Sequence, residues 1–156
     1  MRVREVMSHS PTCCTASATA QTAAALMQKS QLGFLPVLDD AVHRVVVGVV
    51  TDRDLCLQVV ARGGNGARIA VRQCMAPDPV CCGPDDDVRQ ALQRIQQNGF
   101  RRLPVVDAAG RIQGVLALSD LVHHGAANAR ELSVALSRIT EPGERRHRQG
   151  CDFAAD

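Results

Sequence analysis

The sequence predicts an α/β fold built from two copies of one β-α-β-β-α unit. Three observations support this prediction. First, segments of the first half of the sequence recur in the second half. Second, apolar residues follow helical spacing in some stretches and form short runs, typical of strands, in others. Third, turn-forming residues separate these stretches. Hydrophobic residues make up 46% of the 156 residues, so the chain can bury a core and is not expected to be disordered.

The repeat is visible in three pairs of matching segments. The first two pairs share an offset of 68 residues, and the third has an offset of 66 because a loop is two residues longer in the first copy. So many matches with a single gap are improbable by chance. The pairs are Val6–Pro11 with Cys74–Pro79, Leu35–Asp39 with Leu103–Asp107, and Gly48–Leu55 with Gly114–Leu121.

A short strand and an amphipathic helix open each copy. The strands are predicted at 12–15 and 80–82, directly after a proline. Apolar and small residues then recur at helical spacing. Asp85 is predicted to cap the second helix, and Gly99 to end it. The residues on the buried helix faces are Ala23, Leu26, Met27 and Ser30 in the first copy, and Val88, Ala91, Leu92 and Ile95 in the second.

Two more strands and a closing helix complete each copy. A Leu-Pro segment begins the first of these strands, and a turn rich in aspartate or glycine follows it. The next strand runs directly into the closing helix. The predicted bounds are 35–38, 45–50 and 53–62 in the first copy, and 103–106, 112–116 and 119–124 in the second.

The repeat divides the chain into four parts. They are repeat 1 at 1–63, a linker at 64–70, repeat 2 at 71–124 and a C-terminal part at 125–156. The C-terminal part is predicted to hold one helix at 129–139, with Leu132, Leu136 and Ile139 on one face, followed by a mobile basic tail. A unit of about 60 residues is marginally stable alone. The two repeats are therefore expected to pack sheet to sheet with pseudo-twofold symmetry.

Composition narrows the classes of function. Aromatic residues make up 2% of the chain, which argues against single-stranded nucleic-acid binding because that binding uses aromatic stacking. The net charge of +2 is too small to imply a polyanionic partner. The start lacks the apolar region of a signal peptide, and no apolar run approaches about 18 residues. A cytoplasmic protein without a membrane partner is expected.

Two adjacent cysteine pairs, Cys13-Cys14 and Cys81-Cys82, stand at equivalent positions of the two copies. Neighbours on a strand point to opposite faces, so one pair cannot supply two ligands to one metal ion. In a cytoplasmic chain the expected role is that of small hydrophobic residues. A disulfide or zinc site that combines the two pairs, and with it a redox or metal sensor, is the alternative.

The doubled pattern resembles a tandem pair of CBS domains, the arrangement often called a Bateman module. The resemblance rests on the Val-x-x-Val-Met segment near the start, the Leu-Pro-Val segments and the Gly-Val segments, and it covers about residues 1–124. Members of this family commonly bind AMP, ADP, ATP, S-adenosylmethionine or NAD in clefts between the repeats. They usually regulate rather than catalyse. The resemblance therefore implies a homodimeric regulatory module with no activity of its own, no required cofactor and an unidentified protein partner.

The same resemblance assigns a first ligand site to the segment Gly48–Leu55. Asp54 would accept hydrogen bonds from the two ribose hydroxyls, and Thr51 would contact the ribose or the first phosphate. An ionised carboxylate only accepts hydrogen bonds, which suits a pair of neighbouring hydroxyls. The alternative is that Thr51 or Asp52 merely caps the helix.

Residues of the second repeat complete this first site in the family. Val80 and Phe100 would offer apolar contact to adenine. Arg101 and Arg102 would bind phosphate, since planar guanidinium groups suit it, and a solvated loop is the alternative. An adenine mononucleotide is therefore the expected ligand, ahead of S-adenosylmethionine and NAD. The residues assigned here are Val80, Cys81, Phe100, Arg101, Arg102 and Pro104.

A second and weaker site is expected around Asp120. Ala117 stands where repeat 1 has Thr51, so the hydroxyl is missing, and Ser119 would replace it only in part. The facing segment carries no basic residue. One competent site and one degraded or empty site are expected. The residues assigned to the weaker site are Gly33, Phe34, Pro36, Ser119 and Asp120.

Enzymatic motifs are missing from the sequence. It contains no G-x-S-x-G segment, no Walker loop and no H-E-x-x-H segment. A metal site is not predicted either, because no CxxC spacing is present. Besides the nucleotide-binding regulator, a scaffold protein whose clefts bind no ligand stays open as an alternative.

Overall fold

The computed structural model describes residues 1–140. The predicted basic tail and Cys151 lie outside these residues. The described residues form seven strands and five helices, which confirms the α/β fold class. The strands are β1 Ser8–His9, β2 Cys14–Thr15, β3 Phe34–Leu38, β4 Val46–Thr51, β5 Ala76–Pro77, β6 Arg102–Val106 and β7 Ile112–Ala117. The helices are α1 Ala20–Ser30, α2 Asp52–Leu55, α3 Val88–Asn98, α4 Leu118–His123 and α5 Ala129–Thr140.

Shorter helical turns supplement these elements. Single 3₁₀ turns at Val3–Glu5 and Val71–Gln73 precede β1 and β5. A π-helical segment, Cys56–Val60, continues α2, so the closing helix of repeat 1 changes its geometry after one turn. No helix in the described range is long and apolar enough to cross a membrane.

Two compact units make up the described chain, and each combines most of one repeat with the first residues of the other repeat. The repeat-1 unit contains Thr12–Pro79, and the repeat-2 unit contains Met1–Pro11 together with residues 80–140. Strand pairing shows the reason. β1, at the start of repeat 1, pairs with β7 of repeat 2, whereas β5, at the start of repeat 2, pairs with β4 of repeat 1.

The sheet of the repeat-1 unit has the order β2-β3-β4-β5. β2 is parallel to β3, and the other neighbours are antiparallel. Leu35, Val37 and Val50 are completely buried under α1 and the closing helix. The buried core consists of Cys14, Ala20, Ala23, Met27, Leu35, Val37, Val50, Leu55, Val59, Val71 and Cys74.

The sheet of the repeat-2 unit has the order β1-β7-β6 and is antiparallel throughout. The strand predicted at 80–82 is reduced to one bridge between Cys82 and Val105. Val3 and Val6, from the start of the chain, belong to this core. The buried core consists of Val3, Val6, Cys82, Val88, Ala91, Leu92, Ile95, Leu103, Val105, Leu116, Leu118, Leu121 and Ala135.

The cap of α3 differs from the prediction. Asp87, not Asp85, is the N-cap residue, and its carboxylate accepts a hydrogen bond from Arg89 N at 2.8 Å. Asp85 instead forms an ion pair with Arg4. The helix begins two residues later than expected because three consecutive aspartates, all able to cap, precede it. Gly99 ends the helix with φ 64°, as predicted.

Helix α5 packs on α3, in the core of the repeat-2 unit, through part of its apolar face. Leu132 and Ile139 contact the core, but Leu136 is 52% exposed. Ala135 is completely buried in its place. Residues 132, 135 and 139 follow the helical spacing i, i+3, i+7, and the small alanine allows the helices to approach closely.

A methionine sulfur packs against a strand glycine in each unit. A Cβ atom placed on Gly48 would lie 2.6 Å from Met75 Sδ and 2.8 Å from the Ala76 carbonyl oxygen. A Cβ atom on Gly114 would lie 2.7 Å from Met7 Sδ and 2.7 Å from the Ser8 carbonyl oxygen. Real Cβ contacts are longer than this, so only glycine fits at these two positions.

Candidate functional site

The predicted ribose-binding carboxylate is fixed by a reciprocal cap at the start of α2. Asp54 Oδ2 accepts hydrogen bonds from Thr51 N at 2.9 Å and from Thr51 Oγ1 at 2.7 Å. Thr51 Oγ1 in turn accepts one from Asp54 N at 3.1 Å. Both residues are half-buried. Thr51 therefore caps α2, which is the alternative interpretation of this residue given above. The ligand-binding roles of Thr51 and Asp54 stay predictions.

This cap limits what Thr51 can offer to a ligand. A hydroxyl has one proton to donate, and here Thr51 donates it to Asp54. With that proton engaged, Thr51 Oγ1 can only accept a further hydrogen bond. Its chemistry then fits a ribose hydroxyl, which donates, better than an ionised phosphate, which only accepts.

Gly33 and Phe34 lie beside this cap in the same unit. Phe34 is the cross-strand partner of Thr51, and Asp52 N donates to the Gly33 carbonyl oxygen at 3.2 Å. A Cβ atom on Gly33 would lie 2.7 Å from Asp52 Oδ2, so the glycine leaves room for that carboxylate. Two residues assigned to the weaker site thus neighbour Thr51 within their own repeat.

The equivalent cap in the repeat-2 unit is weaker. Ala117 N donates to Asp120 Oδ2 at 2.8 Å, but alanine has no hydroxyl to add a second hydrogen bond. Ser119, the predicted partial substitute, is exposed. Asp120 therefore has one hydrogen-bond donor from this cap where Asp54 has two.

Both arginines of the predicted phosphate site lie at this end of the repeat-2 sheet. Arg102 is the cross-strand partner of Ala117, and the Arg101 carbonyl oxygen accepts from Leu118 N at 3.0 Å. Arg101 is exposed and Arg102 is half-buried. Within residues 1–140 neither guanidinium is in an ion pair, so both charges could bind an anion.

The remaining predicted site residues belong to the packed parts of their own units. Val80 and Phe100 are partly buried against the core of the repeat-2 unit. Pro36 and Pro104 are fully buried at equivalent positions of β3 and β6. Cys81 is half-buried. The contact of these residues with a ligand stays a prediction.

Buried cysteines take part in packing rather than in thiolate chemistry. Cys14 and Cys82 are buried in the two cores, and six cysteines between residues 1 and 140 are in the thiol form. Burial raises the pKa of Cys14 and of Cys82 to about 12, and that of Cys13 to about 11. These thiols stay protonated at neutral pH, whereas metal ions and oxidants react with thiolates.

A group of three possible metal ligands lies elsewhere and contains no cysteine. Asp39, Asp40 and His43 place their ligand atoms within 4.8 Å of one another in the turn after β3. Hydrogen bonds inside the turn explain this arrangement. His43 Nδ1 lies 2.6 Å from Asp40 Oδ2, and this bond holds the pKa of Asp40 below its usual value. The group is largely exposed and is a feature of the turn.

Alkylation of the native protein tests the role of the cysteines. We expect iodoacetamide to label the exposed Cys56 much faster than Cys14 and Cys82 between about pH 7 and pH 9, because thiols with raised pKa values remain protonated and buried. Timed labelling followed by peptide mass spectrometry measures each rate. A Cys56→Ser variant should lose the fast labelling of the peptide that contains residue 56, and the slow labelling of Cys14 and Cys82 should not change. Equally fast labelling of Cys14 or Cys82 would support a reactive, sensor-type thiol instead.

Comparison with known proteins identifies the repeated pattern. A family model described as "CBS domain" matches residues 3–60 and 71–127. The "CBS domain-containing protein YhcV" of Bacillus subtilis is 32% identical over 126 residues, which cover 81% of this chain and 86% of that protein. The resemblance found in the sequence is thereby confirmed.

Solved structures support the same relationship. The CBS domain protein TA0289 of Thermoplasma acidophilum, described as of unknown function, is 25% identical and superposes with a TM-score of 0.77 over 88% of this chain and 75% of that one. CBSX2 of Arabidopsis thaliana in complex with AMP is 29% identical, with a TM-score of 0.69 over 80% of this chain and 96% of that one.

Proposed function

This chain belongs to the CBS-domain family, and we propose that it is a regulatory module that binds an adenine nucleotide through Thr51 and Asp54. The observation that carries the proposal is the half-buried Asp54 carboxylate, which two hydrogen bonds from Thr51 hold at the end of β4. The AMP complex of the related CBSX2 supports the choice of ligand.

The carboxylate suits the ribose part of a nucleotide. An ionised Asp54 can accept hydrogen bonds from both hydroxyls of a ribose, and each such bond contributes about 1.5–3 kcal/mol. The cap fixes the side chain before the ligand arrives, so binding costs little side-chain entropy. We assign the 2′ and 3′ hydroxyls to Asp54, with Thr51 Oγ1 as an additional acceptor.

Arg101 and Arg102 are the proposed phosphate-binding groups. Their charges are not neutralised by an ion pair in the described part of the chain, and guanidinium groups bind phosphate through paired N–H donors. Val80, Cys81 and Phe100 are the proposed contacts of the base. This assignment favours AMP, ADP or ATP over the phosphate-free S-adenosylmethionine.

Regulation without catalysis is the proposed role of this chain. The family model covers both repeats, at residues 3–60 and 71–127, so the proposal concerns the function of a CBS pair. A ligand that binds one arrangement of the module more tightly than another shifts the population toward it. We propose that a homodimer in the cytoplasm transmits this shift to a protein partner.

Calorimetric titration with AMP and 2′-deoxy-AMP tests the ribose assignment. We expect AMP to bind the wild-type protein, and both removal of the 2′ hydroxyl and the Asp54→Asn substitution to weaken binding by about 10- to 100-fold. Asparagine retains one carbonyl oxygen that can accept from Thr51 N, so the cap should survive. In the Asp54→Asn variant the difference in affinity between the two ligands should become much smaller, because the main acceptor that distinguishes them is gone.

Two comparisons complete this experiment. An Arg101→Ala/Arg102→Ala double variant should lose the preference for AMP over adenosine, while an Arg89→Ala variant, altered on an exposed part of α3, should keep it. An unchanged discrimination between AMP and 2′-deoxy-AMP in Asp54→Asn would overturn the assignment of Asp54.

A scaffold protein without a ligand is the second candidate. The reciprocal cap accounts for Thr51 and Asp54 at these positions even if nothing binds them, since a helix start needs such a cap. The same titration decides between the two. Absence of binding by AMP, ADP, ATP and NAD would favour the scaffold.

A further inference from the structure

Met7 and Met75 hold equivalent positions and make equivalent contacts in the two units. Each sulfur packs on a glycine of the neighbouring strand, Met7 on Gly114 and Met75 on Gly48. Each residue is half-buried and packs against the core of its unit. Neither methionine is among the residues proposed to bind the nucleotide.

Met7 and Met75 directly precede the two-residue edge strands β1 and β5, and they follow the buried Val3, Val6 and Val71 of the same segments. Met7 N donates to Val3 O at 2.9 Å and Met75 N to Val71 O at 2.8 Å, so both bonds stay inside the segment. The strands that follow, β1 and β5, contain only two residues each. Such short edge pairings add little stability, so the methionine packing helps to hold β1 against β7 and β5 against β4.

We propose that Met7 and Met75 are paired oxidation sites, and that a hydroperoxide converts their thioethers to sulfoxides and thereby releases β1 and β5. In this reaction one oxygen atom passes from the peroxide to the sulfur. The sulfur loses two electrons, and hydrogen peroxide is reduced to water. The product is polar where the thioether was apolar.

The release follows from the tight packing at the glycines. No space remains between sulfur and strand, since even a Cβ atom would lie within 2.7 Å of either sulfur. A sulfoxide oxygen needs water or a hydrogen-bond donor, and burying it without one is unfavourable. The oxidised side chain therefore moves toward solvent, and the two-residue strand that follows it separates from its partner.

The other two methionines provide internal references. Met27 is 6% exposed in the repeat-1 core, so peroxide should reach it slowly. Met1 is 58% exposed at the first residue, so its oxidation should be fast but without structural effect. Met27 therefore shows whether the order of oxidation follows exposure, and Met1 shows whether oxidation away from β1 and β5 changes the structure.

Peroxide treatment of the full chain tests the proposal. We expect peptide mass spectrometry to find sulfoxide at Met7 and Met75 before Met27. Hydrogen exchange should increase in the peptides that contain β1 and β5, and the thermal midpoint should fall by about 3 °C or more. A Met7→Leu/Met75→Leu variant should keep its midpoint under the same treatment, because leucine fills a similar volume and does not react.

Cysteine oxidation is controlled in the same samples. A Met27→Leu variant has the same cysteines and should lose stability as the wild type does. After treatment, a thiol reductant alone should not restore the midpoint, whereas a thiol reductant with methionine sulfoxide reductase should. Oxidation of Met27 ahead of Met7 and Met75, or an equal fall in the Met7→Leu/Met75→Leu variant, would overturn the proposal. If that variant does not fold, unchanged hydrogen exchange in oxidised wild type overturns it as well.

Discussion

Replacement of Leu35 or Leu103 by alanine is expected to lower the free energy of unfolding by about 2–5 kcal/mol. Both side chains have 0% exposure, and they occupy equivalent positions in β3 and β6. The loss combines the removal of apolar surface from the core with the cavity that remains. Urea denaturation followed by circular dichroism measures it.

A leucine at the surface supplies the control for these variants. Leu57 is 45% exposed on the π-helical segment after α2, so Leu57→Ala should change stability by about 0.5 kcal/mol or less. Should Leu35→Ala and Leu103→Ala unfold at the same urea concentration as Leu57→Ala, the two strands would not be the centres of their cores.

Replacement of Gly48 or Gly114 by alanine should destabilise the protein by about 1–3 kcal/mol. The added methyl group would lie 2.8 Å from the Ala76 carbonyl oxygen in one case and 2.7 Å from the Ser8 carbonyl oxygen in the other. A backbone oxygen cannot move without shifting β5 or β1, so a new side-chain rotamer does not relieve the contact. Thermal unfolding of the two variants measures the effect.

Gly66 offers a matched control for these substitutions. A Cβ atom there would have its nearest neighbour at 3.5 Å, an ordinary contact, so Gly66→Ala should be close to neutral or slightly stabilising. Removal of the methionine side chain in Gly48→Ala/Met75→Ala should not restore wild-type stability, because the contact with Ala76 remains and the packing of Met75 is lost. Wild-type stability in Gly48→Ala would show that β5 is not held against β4 as described.

Much of the fold could be predicted because each sequence pattern that indicates a strand, helix or turn occurs twice, once in each repeat. The strands at 45–50 and 112–116 were predicted within about one residue, since runs of valine, isoleucine and leucine end at Thr51 and Ala117. The α3 cap was misplaced because three adjacent aspartates carry the same local preference. The π-helical turn at Cys56–Val60 has no local signature, since it depends on packing rather than on propensity.

The candidate site could be predicted only as a set of residues. Thr51 and Asp54 stand out by their spacing, but their reciprocal hydrogen bonds require coordinates, and these bonds show which protons are engaged. The position of Arg102 opposite Ala117 follows from the β6–β7 register. The register depends on which residues of two distant strands pair, and this pairing cannot be determined from a single sequence.

The pairing of β1 with β7 determines where this chain can be divided. A fragment that starts at residue 71, where the second copy begins in sequence, would lack Val3 and Val6. Its hydrophobic core would then contain a cavity where these two side chains pack. A rearranged gene that joins residues 80–140 to Met1–Pro11 would keep every buried side chain of that unit. The boundaries of the two compact units therefore fall after Pro11 and after Pro79, and not between the two sequence repeats.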